Sequence, residues 1–196
     1  MFHVEHGILL LLMIWGAAQP LQAQEIRLSP EETQVLQYTN ELRANPRQFF
    51  RKYVLDYSKS DPRIDPSYIR SLKSDLSHLD SLPLFVPSVG LEQVARFMSR
   101  DLARSGGRRL SHVSSGGLTF EARMSRVQTS CAGENLYSGT NRTALQMVLD
   151  LLIDWRVPDL GHRKNLLNPN FDRIGISISP WGKDGAVLAT DFSCPQ

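Results

Sequence analysis

Apolar positions recur along this chain in two rhythms, and the change from one to the other divides it. Residues 29–32 read Ser-Pro-Glu-Glu. A serine cap, a proline at the first helical position and a glutamate at the third are the signature of a helix start. Val35, Leu36, Tyr38, Leu42, Phe49 and Phe50 then supply an apolar side, with Asn40, Glu41, Arg43 and Arg47 elsewhere. Pro46 predicts a break or kink, because its ring removes a backbone donor and clashes with the preceding turn. Residues 58–66, SKSDPRIDP, are rich in turn formers, and a short amphipathic helix is expected over 67–79. Residues 83–87 read as a connector. Leu91, Val94, Ala95, Met98, Leu102 and Ala103 recur at spacings of three and four, which predicts a helix with one buried face over 89–103. Gly106-Gly107 should stop it.

A short helix is expected over 118–127, and a strand or bend over 133–137. Residues 143–155 are strongly helical, with Ala144, Met147, Val148, Leu151, Leu152 and Trp155 on one side and Pro158 as the stop. The rhythm then shortens to two. Ile174, Ile176 and Ile178 alternate with Gly175, Ser177 and Ser179, the pattern of a half-buried strand. Residues 181–185, WGKDG, predict a hairpin turn, and 186–192 the partner strand. Helices around a small antiparallel sheet make an α+β layered domain. No internal repeat is present.

Composition narrows the setting. The chain has 196 residues, enough for one domain or two small ones. Hydrophobic residues make up 41% and charged residues 21%, ordinary for a soluble globular protein. A net charge of +2 is too small to point to nucleic acid, and none is expected as a partner. Residues 8–15, ILLLLMIW, form an apolar run too short to span a bilayer comfortably. Leu21-Gln22-Ala23 follows and ends in a small residue. A secretory signal over 1–23, cut after Ala23, is the expectation. It leaves one mature domain over 24–196, secreted or periplasmic, with no transmembrane segment. No Lys or Arg precedes the run, so an uncleaved anchor is the alternative. Cleavage would remove one acid, Glu5, and raise the net charge to +3. In an oxidising compartment the two cysteines, Cys131 and Cys194, favour a disulfide over two unpaired thiols.

Candidate chemistry gathers in four short stretches. His162 stands in GHRKNLLNPN, His112 in SHVSSGG, Glu134 in AGENLYSG and Glu121 in LTFEARM. Neutral imidazoles bind zinc or a similar ion, and carboxylates orient them or activate water. The histidines lie 50 residues apart with no local HExxH spacing, so independent caps and surface groups remain the alternative. Ser111, Ser114 and Ser115 beside His112 suggest a Ser-His pair or a plain turn. Arg104, Arg108 and Arg109 could attract an anionic headgroup or polysaccharide, or simply line a solvated loop. Trp155 and Trp181 read as packing.

Five blocks of the sequence, taken together, carry a resemblance. YTNELRANP at 38–46 is similar to an opening helix with an Asn-x-x-Arg pattern. Residues 82–106, LPLFVPSVGLEQVARFMSRDLARSG, are similar to the helix before a first histidine. SHVSSGG at 111–117, AGENLYSG at 132–139 and GHRKNLLNPNFDRIGI at 161–176 are similar to a first-histidine motif, a glutamate motif and a second-histidine motif. The chain thus resembles the CAP superfamily (cysteine-rich secretory proteins, antigen 5 and pathogenesis-related 1 proteins) in its bacterial form, the SCP domain. The resemblance implies an α-β-α sandwich around a small antiparallel sheet. It implies a central cleft holding His112, His162, Glu134 and, by its distance from His112, Glu121. Two functions follow as expectations, with a structural or signalling domain whose polar cleft merely pins the core as a third reading. One is a secreted binding module that takes zinc or another divalent metal through His112 and His162, and a small lipid or other ligand or an extracellular partner. The other is a metal-dependent or Glu-assisted hydrolase, peptidase or esterase, with Glu134 as the candidate catalytic residue. Compared with the animal members the chain lacks many cysteines and carries an extra helical segment around 50–80.

Overall fold

A computed structural model describes residues 26–195. The expected signal segment over 1–23 lies outside the described residues. Helix α1 (Pro30–Ala44) starts as its sequence predicts: Ser29 accepts from the Glu32 amide, and the Glu32 side chain accepts from the Ser29 amide. Pro46 opens a new short helix, α2 (Pro46–Phe49), which runs through a π-helical turn at Phe50–Val54 into α3 (Leu55–Ser60). Asp65 caps α4 (Pro66–His78) by accepting from the Ser67 amide at 2.7 Å. Then follow a two-residue strand β1 (Val86–Pro87), α5 (Val89–Arg104) and α6 (Phe120–Met124). The second half comprises β2 (Ala132–Thr140), α7 (Ala144–Ile153), α8 (Gly161–Leu166), β3 (Arg173–Trp181) and β4 (Gly185–Ser193).

The sheet runs β1-β3-β4-β2. Its three long strands are antiparallel, as expected, while β1 adds a parallel edge to β3 through Val86↔Arg173. The sheet is therefore mixed, and the expected connector over 83–87 contributes to it. One face buries Ile174, Ile176, Leu188 and Phe192 in the main core with α1, α7 and the 46–78 segment. The other packs Leu136, Val187 and Ala189 against Ala95, Met98 and Leu102 of α5. The result is the expected α-β-α sandwich.

Three local expectations need correction. The glycine-serine face of β3 is not solvated: α5 covers it, and the Ser99 hydroxyl meets those of Ser177 and Ser179 at 3.0 and 2.9 Å. A Cβ on Gly175 would strike the Leu91 backbone, so small residues on that face are what let α5 lie close. Helix α7 ends at Ile153, well before Pro158, because Asp154 turns left-handed at φ 58°. Residues 161–166 form a helix where no element was expected.

Two buried guanidiniums cross-link these layers. Arg43 on α1, fully buried, donates to the carbonyls of Pro83, Leu166, Asn168 and Phe171. Arg163 on α8 donates to Leu152 and Ile153 at the end of α7, and to Tyr68, Ser71 and Asp75 on α4. Asn168, Pro169 and Asn170 make a turn, with Asn168 accepting from the Asn170 amide, and Phe171 is buried behind it. Cys131 and Cys194 form the expected disulfide, with Cα atoms 5.5 Å apart.

Candidate functional site

His112 lies on the loop between α5 and α6, and Arg123 on α6 holds that loop in place. Its guanidinium donates to the carbonyls of His112 and Leu118, at 2.9 and 3.2 Å, and pairs with Glu134 Oε2. The other Glu134 oxygen meets His112 Nδ1 at 2.8 Å. Glu134, on β2, is thus clamped between an imidazole and a guanidinium, with its side chain 1% exposed. The neighbouring serines serve the loop itself. Ser111 accepts from the Val113 amide, Ser114 accepts from the Leu118 amide, and Ser115 donates to Asp101. The turn reading holds for all three hydroxyls.

His162 sits at the second position of α8 and is aimed by a different acid. Its Nδ1 lies 2.7 Å from Asp154 Oδ1, and Asp154 Oδ2 accepts from the Arg163 amide at 3.1 Å. The chain reaches this geometry through three non-glycine residues in the left-handed region, Asp154, Arg156 and Leu160. The last of these left-handed steps falls on Leu160, directly before Gly161. An asparagine pair then fastens α8 to β2. Asn135 Nδ2 donates to the His162 carbonyl at 3.0 Å, and Asn165 Nδ2 donates to Asn135 Oδ1 at 2.8 Å and to the Glu134 carbonyl at 3.3 Å.

These elements bring His112, Glu134 and His162 to one open cleft of about 370 Å³, together with Asp159, Lys164 and Asn165. Glu121 lies elsewhere. It is exposed in the first turn of α6 and borders a separate depression with Phe120, Met124 and Cys131. Its own amide and the Thr119 hydroxyl hold its carboxylate below the usual range. Among the described residues no three His, Cys, Asp or Glu side chains gather as a metal-holding group.

A buried acid beneath the cleft was not expected from the sequence. Asp191 on β4 stands directly across the ladder from Glu134, so both side chains project to the same face. It is fully buried, and no donor among the described residues reaches either of its carboxylate oxygens. Two facing carboxylates form a hydrogen bond only when one carries a proton. Burial, and then the charge of Glu134, push the Asp191 carboxyl well above its usual value, against the opposing pull of Arg123. A carboxyl raised in the folded state stabilises below its unfolded pKa and loses that contribution as pH rises through the folded value. Asp191→Asn, which is neutral at every pH, is therefore expected to gain stability over the parent as pH rises above about 4, the ordinary carboxylate value. Urea denaturation at pH 4 and pH 8 checks this, and a parent-variant difference that stays constant would refute it.

Arg123, Asp154, Asn135, Asn165 and Asp191 all escaped the sequence reading. Asn135 and Asn165 lie within the Glu134 and second-histidine blocks, which was the only available signal.

A family model described as "Cysteine-rich secretory protein family" matches residues 36–192. No curated relative matches the chain at the sequence level. Among solved structures, venom allergen-like protein 4 of Schistosoma mansoni is similar at 12% identity and a TM-score of 0.50, over 86% of this chain and 92% of its own. An extracellular protein containing an SCP domain from Bacillus anthracis matches at 21% identity and a TM-score of 0.49, over 87% of this chain and 45% of its own. This chain thus spans less than half of that protein. An outer surface protein of Borrelia burgdorferi matches at 22% identity and a TM-score of 0.46, over 71% of this chain and 96% of its own. A match from the first helix to the last strand, on an α-β-α sandwich of the expected form, settles the family: the chain belongs to the cysteine-rich secretory protein (CAP) family.

Proposed function

We propose that this CAP domain is an exported binding module whose cleft takes a divalent cation such as zinc between His112 and His162. The supporting observation is that each imidazole is backed at Nδ1 by a buried carboxylate, Glu134 for one and Asp154 for the other. A carboxylate accepts, so in the neutral ring Nδ1 donates and Nε2 keeps its lone pair. This carboxylate-histidine arrangement orients metal ligands and raises their basicity. The donor set fits such an ion through two imidazoles, with water completing its shell. A bound ion would polarise the oxygen of a ligand in the cleft. The disulfide suits an oxidising compartment. No described helix is long and apolar enough to cross a membrane.

The hydrolase reading assigns the base to Glu134. Both its oxygens are already engaged, by His112 and Arg123, so it is poorly placed to take a proton from water. Binding is therefore the reading that the site favours.

Zinc titration calorimetry tests it. His112→Ala and His162→Ala should each weaken binding at least about tenfold, and Asp154→Asn by about 10- to 100-fold through loss of orientation. Affinity should fall on acidification, because a protonated imidazole cannot ligate. Equal affinity in the parent and both alanine variants would overturn the proposal. Zinc-dependent turnover of a peptide or ester library would bring back the hydrolase.

A further inference from the structure

The arginines ahead of His112 play no part in the cleft. On α5, Phe97, Arg100 and Arg104 are exposed and fall on one side of the helix. Past Gly106-Gly107 the chain continues with exposed Arg108, Arg109, Leu110 and Val113. The three apolar side chains are prominent, with Phe97, Leu110 and Val113 exposed by 46%, 42% and 44%. The loop is tied back onto the helix, since the Ser115 amide donates to Asp101 at 2.7 Å and its hydroxyl donates to the same carboxylate. Arg123 holds it from the other side through the His112 carbonyl. Cationic and apolar side chains are thus presented by one α5 flank and the loop fastened to it. Arg96 on the same helix pairs with Glu92, yet none of the four exposed arginines forms an ion pair among the described residues.

We propose that this face, α5 from Phe97 to Arg104 with the loop to Val113, docks on an anionic lipid surface. The arginines meet the headgroups, and Phe97, Leu110 and Val113 enter the interface. Unpaired cations beside large exposed apolar groups are the composition that interfacial binding requires. A soluble polyanion would satisfy the arginines but leave the three apolar side chains in water. The proposal is independent of the metal reading.

The test is co-sedimentation of the full chain with phosphatidylglycerol-phosphatidylcholine vesicles against pure phosphatidylcholine vesicles. The apolar run over 8–15 can partition into either, so the quantity read is the ratio of the two. The anionic vesicles should bind more, and added salt should reduce the ratio. Arg108→Ala with Arg109→Ala should lower binding to the anionic vesicles about fivefold per arginine. Leu110→Ser with Val113→Ser should lower it at constant charge, and Phe97→Ser with Arg100→Ala repeats both tests on the helix. His162→Ala should bind like the parent. Equal binding to both vesicle types would overturn the proposal. So would loss through the arginine variants alone, with dextran sulfate competing fully, since that assigns the face to a soluble polyanion.

Discussion

Replacing Arg43 with methionine should cost the fold about 4 kcal/mol or more. Its guanidinium satisfies four carbonyls contributed by the 83–85 connector, the end of α8 and the turn before β3. It also lies 4.0 Å from the centre of the Phe85 ring. Burial lowers its pKa to about 10, with Asp172 opposing, so it remains a cation at neutral pH. Methionine fills part of the volume but donates nothing. Each buried acceptor left without a donor costs roughly 1–3 kcal/mol, and removing one partner from a buried charged network typically costs about 3–5 kcal/mol. Against a total stability of about 5–15 kcal/mol, many molecules would unfold at moderate temperature. Arg43→Lys should recover only part of the loss, because one ammonium cannot reach every carbonyl that the planar fork serves. Thermal unfolding gives the answer. A methionine variant melting within about 2 °C of the parent would show that the network contributes little.

Opening the disulfide should have an effect of the same order. Cys131 immediately precedes β2 and Cys194 immediately follows β4, and the Cys194 amide donates to the Cys131 carbonyl at 3.3 Å. The bridge therefore extends the β2-β4 ladder by one covalent rung. It joins residues 63 apart, for which the chain-entropy model gives about 4 kcal/mol. Cys131→Ser, Cys194→Ser and the double variant should each melt about 10 °C below the parent, and a reductant should bring the parent down to them. If the reduced parent melted unchanged, the unfolded chain would already be compact around these ends.

The main helices could be read from the sequence because their apolar periods are long and their starts chemically marked. Ser29-Pro30-Glu31-Glu32 needs no tertiary context to begin a helix, and α5 follows from six apolar positions. The serine face of β3 was misread because a hydroxyl looks solvated until its partner is known, and Ser99 is 78 residues from Ser177. Pro158 looked like the end of α7, whereas a left-handed Asp154 had already ended it. That same conformation aims Asp154 at His162, so one backbone event hid both a boundary and a site residue. His112, Glu134 and His162 were legible through motif blocks. Asp191 was not, because only the strand register sets it opposite Glu134.

Arg163 carries a consequence for anyone transplanting this cleft. It follows His162 directly, and its amide shares Asp154 with that imidazole. Its guanidinium reaches Tyr68, Ser71 and Asp75 on α4. The aim of the histidine is thus braced by a helix from the segment that looked like an optional insertion. A graft of residues 154–165 onto a relative lacking α4 would strand a guanidinium with three of its five acceptors missing. Such a chimera should carry a compensating acceptor, or a shorter side chain at that position, before its histidine can be expected to hold its aim.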